Sequence, residues 1–148
     1  MNIISYNCRG LARPDKKLAL RRLVATDSLD IIFLHETLGP TTDITLTLER
    51  MFHGWCFICL EAQGRSGGIA FGYNSSTIKL LNCWGGAGHI GADIHLVDLG
   101  MDFRIFNIYR PCQHRPDFWD KLLGLNLFLS DHLILGGDLN FSIRHSKS

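Results

Sequence analysis

Leu133-Ile134-Leu135-Gly136-Gly137-Asp138-Leu139-Asn140-Phe141 is the stretch on which the reading of this chain turns. An apolar run stops at two glycines and delivers an Asp and an Asn two positions apart. That pattern predicts a buried strand ending in a tight loop. Residues two apart in a strand-like backbone point to the same side, so Asp138 and Asn140 are expected to project together from a strand end. A carboxylate beside a carboxamide supplies one base or metal ligand and one neutral donor/acceptor. Such a pair can hold a water and a phosphate oxygen in one small site.

Working outward, strand and helix signals alternate. Asn2–Tyr6 is short and β-branched and reads as a strand. Pro14–Leu29 carries Leu18, Leu20, Leu23 and Val24 at helical spacing with Lys and Arg between them, an amphipathic helix with Pro14 in its first turn. Ile31-Ile32-Phe33-Leu34 is a continuous apolar run, as in a strand covered on both faces. Thr42–Met51 reads as a helix with Asp43 near its start. A strand-rich middle follows: Trp55–Leu60, Gly68–Tyr73, Thr77–Cys83, His89–Val97 and Phe103–Tyr109. Turn chemistry separates these strands at Gly64-Arg65-Ser66-Gly67, Asn74-Ser75-Ser76 and Gly85-Gly86-Ala87-Gly88. A last helix is expected from about Pro116 to Phe128. The class is α/β (α+β), with a mixed sheet or two packed sheets.

Composition sets outer limits. With 148 residues, 46% hydrophobic and 20% charged, the sequence is that of a globular chain. It reads as a single domain spanning residues 1–148. Its formal net charge of +1 neither supports nor excludes a nucleic-acid partner. No apolar stretch approaches the roughly 18 residues of a membrane span. The first residues lack the features of a signal peptide, so an intracellular location is expected. The five cysteines, Cys8, Cys56, Cys59, Cys83 and Cys112, are odd in number and irregularly spaced, as reduced thiols are. Cys56-Phe57-Ile58-Cys59 matches C-x-x-C formally but lies on an expected strand, and two small buried side chains are the simpler reading. His89, His95, His114 and His145 lack ligand spacing. Trp55, Trp84, Phe118 and Trp119 read as packing residues, and His35 as a packed or solvated histidine.

Polar groups gather at the ends of several strands. Asn7 follows the first, His35-Glu36-Thr37 the second, Asn107-Ile108-Tyr109-Arg110-Pro111 closes a later one, and Asp138 and Asn140 end the last. Four such ends suggest one site assembled from distant segments.

In this order, the motifs resemble the endonuclease/exonuclease/phosphatase family. Ser5-Tyr6-Asn7-Cys8-Arg9-Gly10-Leu11 looks like its opening strand, Leu34-His35-Glu36-Thr37 like its metal-binding segment, Asn107-Ile108-Tyr109-Arg110-Pro111 like its N-x-Y-x-P segment, and Gly137-Asp138-Leu139-Asn140 like its G-D-x-N motif. The wording around Asn7, Gly67 and Asp138 is similar to the endonuclease domains of plant LINE-type retrotransposons.

The resemblance implies a four-layered α/β sandwich, of which the chain would hold the N-terminal half to two-thirds. It implies a hydrolase cleaving phosphodiesters with Mg²⁺, or Mn²⁺ in its place, most simply a DNA-nicking endonuclease of retroelement origin, nuclear if so. Glu36 would bind the metal with Asn7 beside it. Asp138 would orient and deprotonate the attacking water, Asn140 would hold the phosphate or support that water, and Tyr109 would bond the phosphate. Arg9, Asn107 and Arg110 would contact substrate. DNA is the expected partner, with no membrane and no obligate protein partner.

Departures bear on activity. The family's S-D-H motif follows G-D-x-N, whereas Ser130-Asp131-His132 precedes it and reads as an ordinary helix–strand connector. The chain is therefore expected to be a truncated domain with little turnover, since losing a positioned acid/base costs roughly 10²-fold or more. A noncatalytic remnant that binds metal or nucleic acid, or an interaction module, is the alternative function. His35 stands where the family often has Gln. His35-Glu36 is no H-E-x-x-H zinc motif, because position 39 is Gly39.

Overall fold

The computed structural model describes residues 1–26, 28–61, 67–86, 88–109, 115–124 and 129–138, with only the backbone at 26 and 115–118. The elements run β1 (Ile3–Asn7), α1 (Pro14–Thr26), β2 (Ile31–His35), α2 (Thr41–Met51), β3 (Trp55–Leu60), β4 (Ile69–Asn74), β5 (Ile78–Gly86), β6 (His89–Leu96), β7 (Met101–Tyr109), α3 (Arg115–Gly124) and β8 (Leu133–Asp138). They follow the sequence pattern closely. The main difference is β8, which continues through both glycines to Asp138 instead of stopping at Leu135. β5 likewise runs on to Gly86, into the segment expected to be a turn.

Two four-stranded sheets form, in the orders β1-β2-β4-β3 and β5-β6-β7-β8. Each is mixed: β1 pairs parallel to β2 and β7 parallel to β8, while the remaining pairs are antiparallel. The alternation of side chains along each strand assigns the layers. Ile31, Phe33, Ile69 and Phe71 of the first sheet meet Ile90, Ile94 and Ile105 of the second in an apolar inter-sheet core. The opposite face of the first sheet, with Ile32, Leu34 and Phe57, packs on Leu20 of α1 and Ile44 and Leu48 of α2. Phe106 and Ile108, on the outer face of the second sheet, pack on Leu122 of α3. The result is a four-layered α/β/β/α sandwich, in which each fully buried Ile, Leu or Phe contributes about 1.5–3 kcal/mol.

The same alternation settles the C-x-x-C segment. Residues three apart on a strand face opposite ways, so Cys56 and Cys59 cannot close on one ligand. Cys59 packs against the helix-side core, but Cys56 is exposed, contrary to the expectation of two buried thiols. Burial pushes the Cys8 thiol up to about 12, so it is an inert core group.

Candidate functional site

Inner-face positions converge at the carboxyl ends of the parallel strands. On β1, Ile3 faces the inter-sheet core and Ile4 and Tyr6 face the helices, which puts Asn7 on the inner face. On β7, Ile105 lies inside and Phe106 and Ile108 outside, which puts Asn107 and Tyr109 inside. Ile134 of β8 faces inward, and so does Asp138 four residues on. Because Asn7 is opposite His35 and Tyr109 opposite Asp138, all these ends lie at one end of the sandwich. Asn7 Nδ2 donates to Asp138 Oδ2 across the two sheets at 3.4 Å.

Glu36 reaches this inner face by a backbone turn. It follows His35, so strict alternation would send it outward. Its φ of 53° puts it in the left-handed region, which is costly for a non-glycine residue. The side chain then meets Tyr109, whose hydroxyl donates to Glu36 Oε1 at 3.0 Å. Backbone bonds hold the turn on both sides. Gly10 N–H donates to Glu36 O and Leu11 N–H to Thr37 O, while Thr37 N–H donates to Gly68 O. Arg9 also has positive φ, 47°, and its N–H donates to Asn7 Oδ1 at 3.0 Å. Its exposed residue stands beside the site.

Close packing brings β8 to this position. A Cβ on Gly136 would fall 2.5 Å from the Phe33 ring, so only glycine lets β8 approach β2. At Gly137, with φ 124°, a Cβ would strike Ile108 O at 1.9 Å. The two glycines that read as a strand terminator are what let the strand deliver Asp138.

Asn107 departs from its expected role. It is 1% exposed, and its Nδ2 donates to Ala70 O at 2.9 Å and Leu34 O at 3.5 Å. Its Oδ1 faces His35 Nε2 at 2.6 Å. The carboxamide is committed to tying β7 to the other sheet and does not face a substrate. His35 itself is 1% exposed, which settles the packed alternative. Burial lowers its pKa, against the raising effects of Asn107, Asp138 and Glu36. Its importance was legible only in its alternation with Ile31 and Phe33 on an inward-facing strand. Asn140 and Arg110 lie outside the described residues.

Ser130-Asp131-His132 lies at the other end. His132 O accepts from Arg104 N, and Leu133 is opposite Arg104, so the length of β8, roughly 17 Å at strand rise, separates it from Asp138.

The site's donors are all oxygens: the Glu36 and Asp138 carboxylates and the Asn7 carboxamide oxygen. Among the described residues no group of three or more His, Cys, Asp or Glu side chains could hold a metal. A hard cation such as Mg²⁺ needs only one or two carboxylates, keeping waters and taking substrate oxygens for the rest, so the donor set fits it and not a soft metal.

Known structures match this architecture. A zebrafish (D. rerio) TDP2 complexed with a single-strand DNA product is similar with a TM-score of 0.73 at 19% identity, over 95% of this chain and 61% of that one. A mannosyl-6-phosphatase from Bacteroides thetaiotaomicron has a TM-score of 0.70 at 16% identity, over 97% and 66%. An AP endonuclease from Archaeoglobus fulgidus has 0.68 at 17% identity, over 95% and 58%. The chain thus spans less than two thirds of the length of each. No curated protein matches the sequence significantly. At such identities the likeness establishes the fold, and the sequence profile of one group of hydrolases aligns with residues 4–147: the chain belongs to the Endonuclease/Exonuclease/phosphatase family.

Proposed function

We propose that this chain is a divalent-metal-dependent phosphodiesterase domain acting on DNA, a nicking endonuclease of the retroelement type. The observation that carries the reading is the meeting of two cross-sheet pairs, Asn7–Asp138 and Glu36–Tyr109, at one end of the sandwich. Glu36, with the Asn7 oxygen beside it, would hold Mg²⁺ or Mn²⁺, which when bound polarises a phosphoryl oxygen. Asp138, held by the Asn7 amide, orients a water and takes its proton. The Tyr109 hydroxyl orients Glu36 by donating its one hydrogen to it, and would have to release Glu36 to donate to a phosphate oxygen. Arg9, exposed next to Asn7, supplies a charge for the DNA backbone.

DNA as substrate is supported by the DNA-bound TDP2 neighbour. The retroelement assignment rests on the wording around Asn7, Gly67 and Asp138. Supercoiled-plasmid nicking tests the function. Expected is relaxed plasmid with Mg²⁺, and none with EDTA or with Asp138→Ala. Nicking that persists in Asp138→Ala would come from a contaminating nuclease and would remove the support for this reading. No nicking by the unaltered chain in either Mg²⁺ or Mn²⁺ would replace it with a noncatalytic metal- or nucleic-acid-binding domain.

A further inference from the structure

Beneath the Glu36–Tyr109 hydrogen bond lies a second, fully buried rung between the sheets, His35–Asn107. The Asn107 amide nitrogen is aimed at two backbone carbonyls, Leu34 O and Ala70 O. That orientation leaves its oxygen 2.6 Å from His35 Nε2, so a hydrogen on Nε2 donates to it, while the Tyr6 backbone carbonyl is a second acceptor facing the ring. The His35 ring stacks on Tyr109, with centroids 6.1 Å apart and planes at 20°. Each member of the buried rung is therefore joined to one at the mouth: Glu36 follows His35 in the chain, and Tyr109 is two residues beyond Asn107 on the same strand face.

We infer that His35 is a positioning residue: its donation to Asn107 and its stack on Tyr109 fix the spacing of the two sheets at the site, and so seat the Glu36 carboxylate and Tyr109 hydroxyl for the cation. His35 touches neither cation nor substrate. A packing role alone would be met by any side chain of similar volume. A positioning role needs a donor directed at Asn107 Oδ1, which a Gln amide supplies and a Leu side chain does not. Losing an outer partner of a metal ligand typically costs 10–100-fold in affinity.

The binding arm of the test rests on the proposed role of Glu36 as a metal ligand. Titration of the full chain with Mn²⁺ alone, by calorimetry, is expected to show affinity at least ~10-fold weaker for His35→Leu than for the parent. His35→Gln is expected to stay within about threefold of the parent, as a replacement donor would allow. Equal affinity for His35→Leu and the parent, or equal loss in His35→Gln and His35→Leu, overturns the inference. Should the parent bind no Mn²⁺, the metal-site reading fails, and hydrogen exchange of the Asn107 carboxamide by NMR decides separately. Protection in the parent and His35→Gln with loss in His35→Leu upholds the buried rung as the positioning device. Equal exchange in all three overturns it.

Discussion

At residue scale, Glu36 holds an unfavourable backbone conformation at the point where a carboxylate is needed. Its φ of 53° redirects a side chain that strand alternation would send to the helix side. Strain of this kind persists where surrounding structure over-determines it, here through the bonds of Gly10, Leu11 and Thr37. The usual order of Ala and Gly substitutions should therefore invert. Glu36→Gly is expected to be more stable than Glu36→Ala by about 1 kcal/mol in urea unfolding, because only Gly relaxes a left-handed backbone without a Cβ penalty. An Ala variant as stable as the Gly variant would show that the turn is not strained.

His35 gives the residue scale a pH dependence. Burial lowers its pKa below the ordinary 6.5, so the unfolded chain binds the proton more readily than the folded one. The contribution is fully present above the unfolded value and is lost as pH falls below it toward the folded value. Stability of the metal-free chain is expected to fall as pH drops from 7 to below 6, and His35→Gln should flatten that part of the profile. An unchanged slope in His35→Gln would assign the dependence elsewhere.

At element scale, the glycines of β8 matter for what they admit. Gly137 faces Ile108 O so closely that any Cβ separates β8 from β7, and Asp138 moves with it. Gly137→Ala is expected to cost roughly 3 kcal/mol in denaturant unfolding, combining a clash with strain at positive φ. The Asn7–Asp138 bond should be lost with it. A near-neutral Gly137→Ala would mean that β8 pairs in a different register. Reading Gly136-Gly137 as the end of a strand was a local inference, and it failed because the packing of Phe33 and Ile108 is not local. The strand reading of the C-x-x-C segment holds, and only the burial expected of Cys56 differs, because which thiol is covered depends on which sheet face has a neighbour.

At the scale of the whole molecule, β1 and β8 are the outermost strands on the same side of the sandwich and pack against each other. Among the described residues each is paired on one side only, and Leu135 of β8 is 49% exposed. Such edges template further strand pairing. Concentration-dependent self-association is expected in sedimentation velocity, and Leu135→Lys should reduce it by placing a charge on the edge. Association unchanged by Leu135→Lys would put the contact on another surface.

The sequence determined much by itself. Period-two and helical spacing placed nearly every element, and the polar residues at successive strand ends pointed to one site assembled from distant segments. These are local properties, fixed by backbone geometry within a few residues. Tertiary structure alone decided which strand ends meet. It paired Asn7 with Asp138 across 131 positions, turned Glu36 onto Tyr109 through a left-handed residue, and drew Asn107 inward onto His35 and two carbonyls. The physical reason is that sheet order and inter-sheet spacing arise from side chains far apart in the chain. No local pattern records the gap those side chains leave, nor which polar groups must close it.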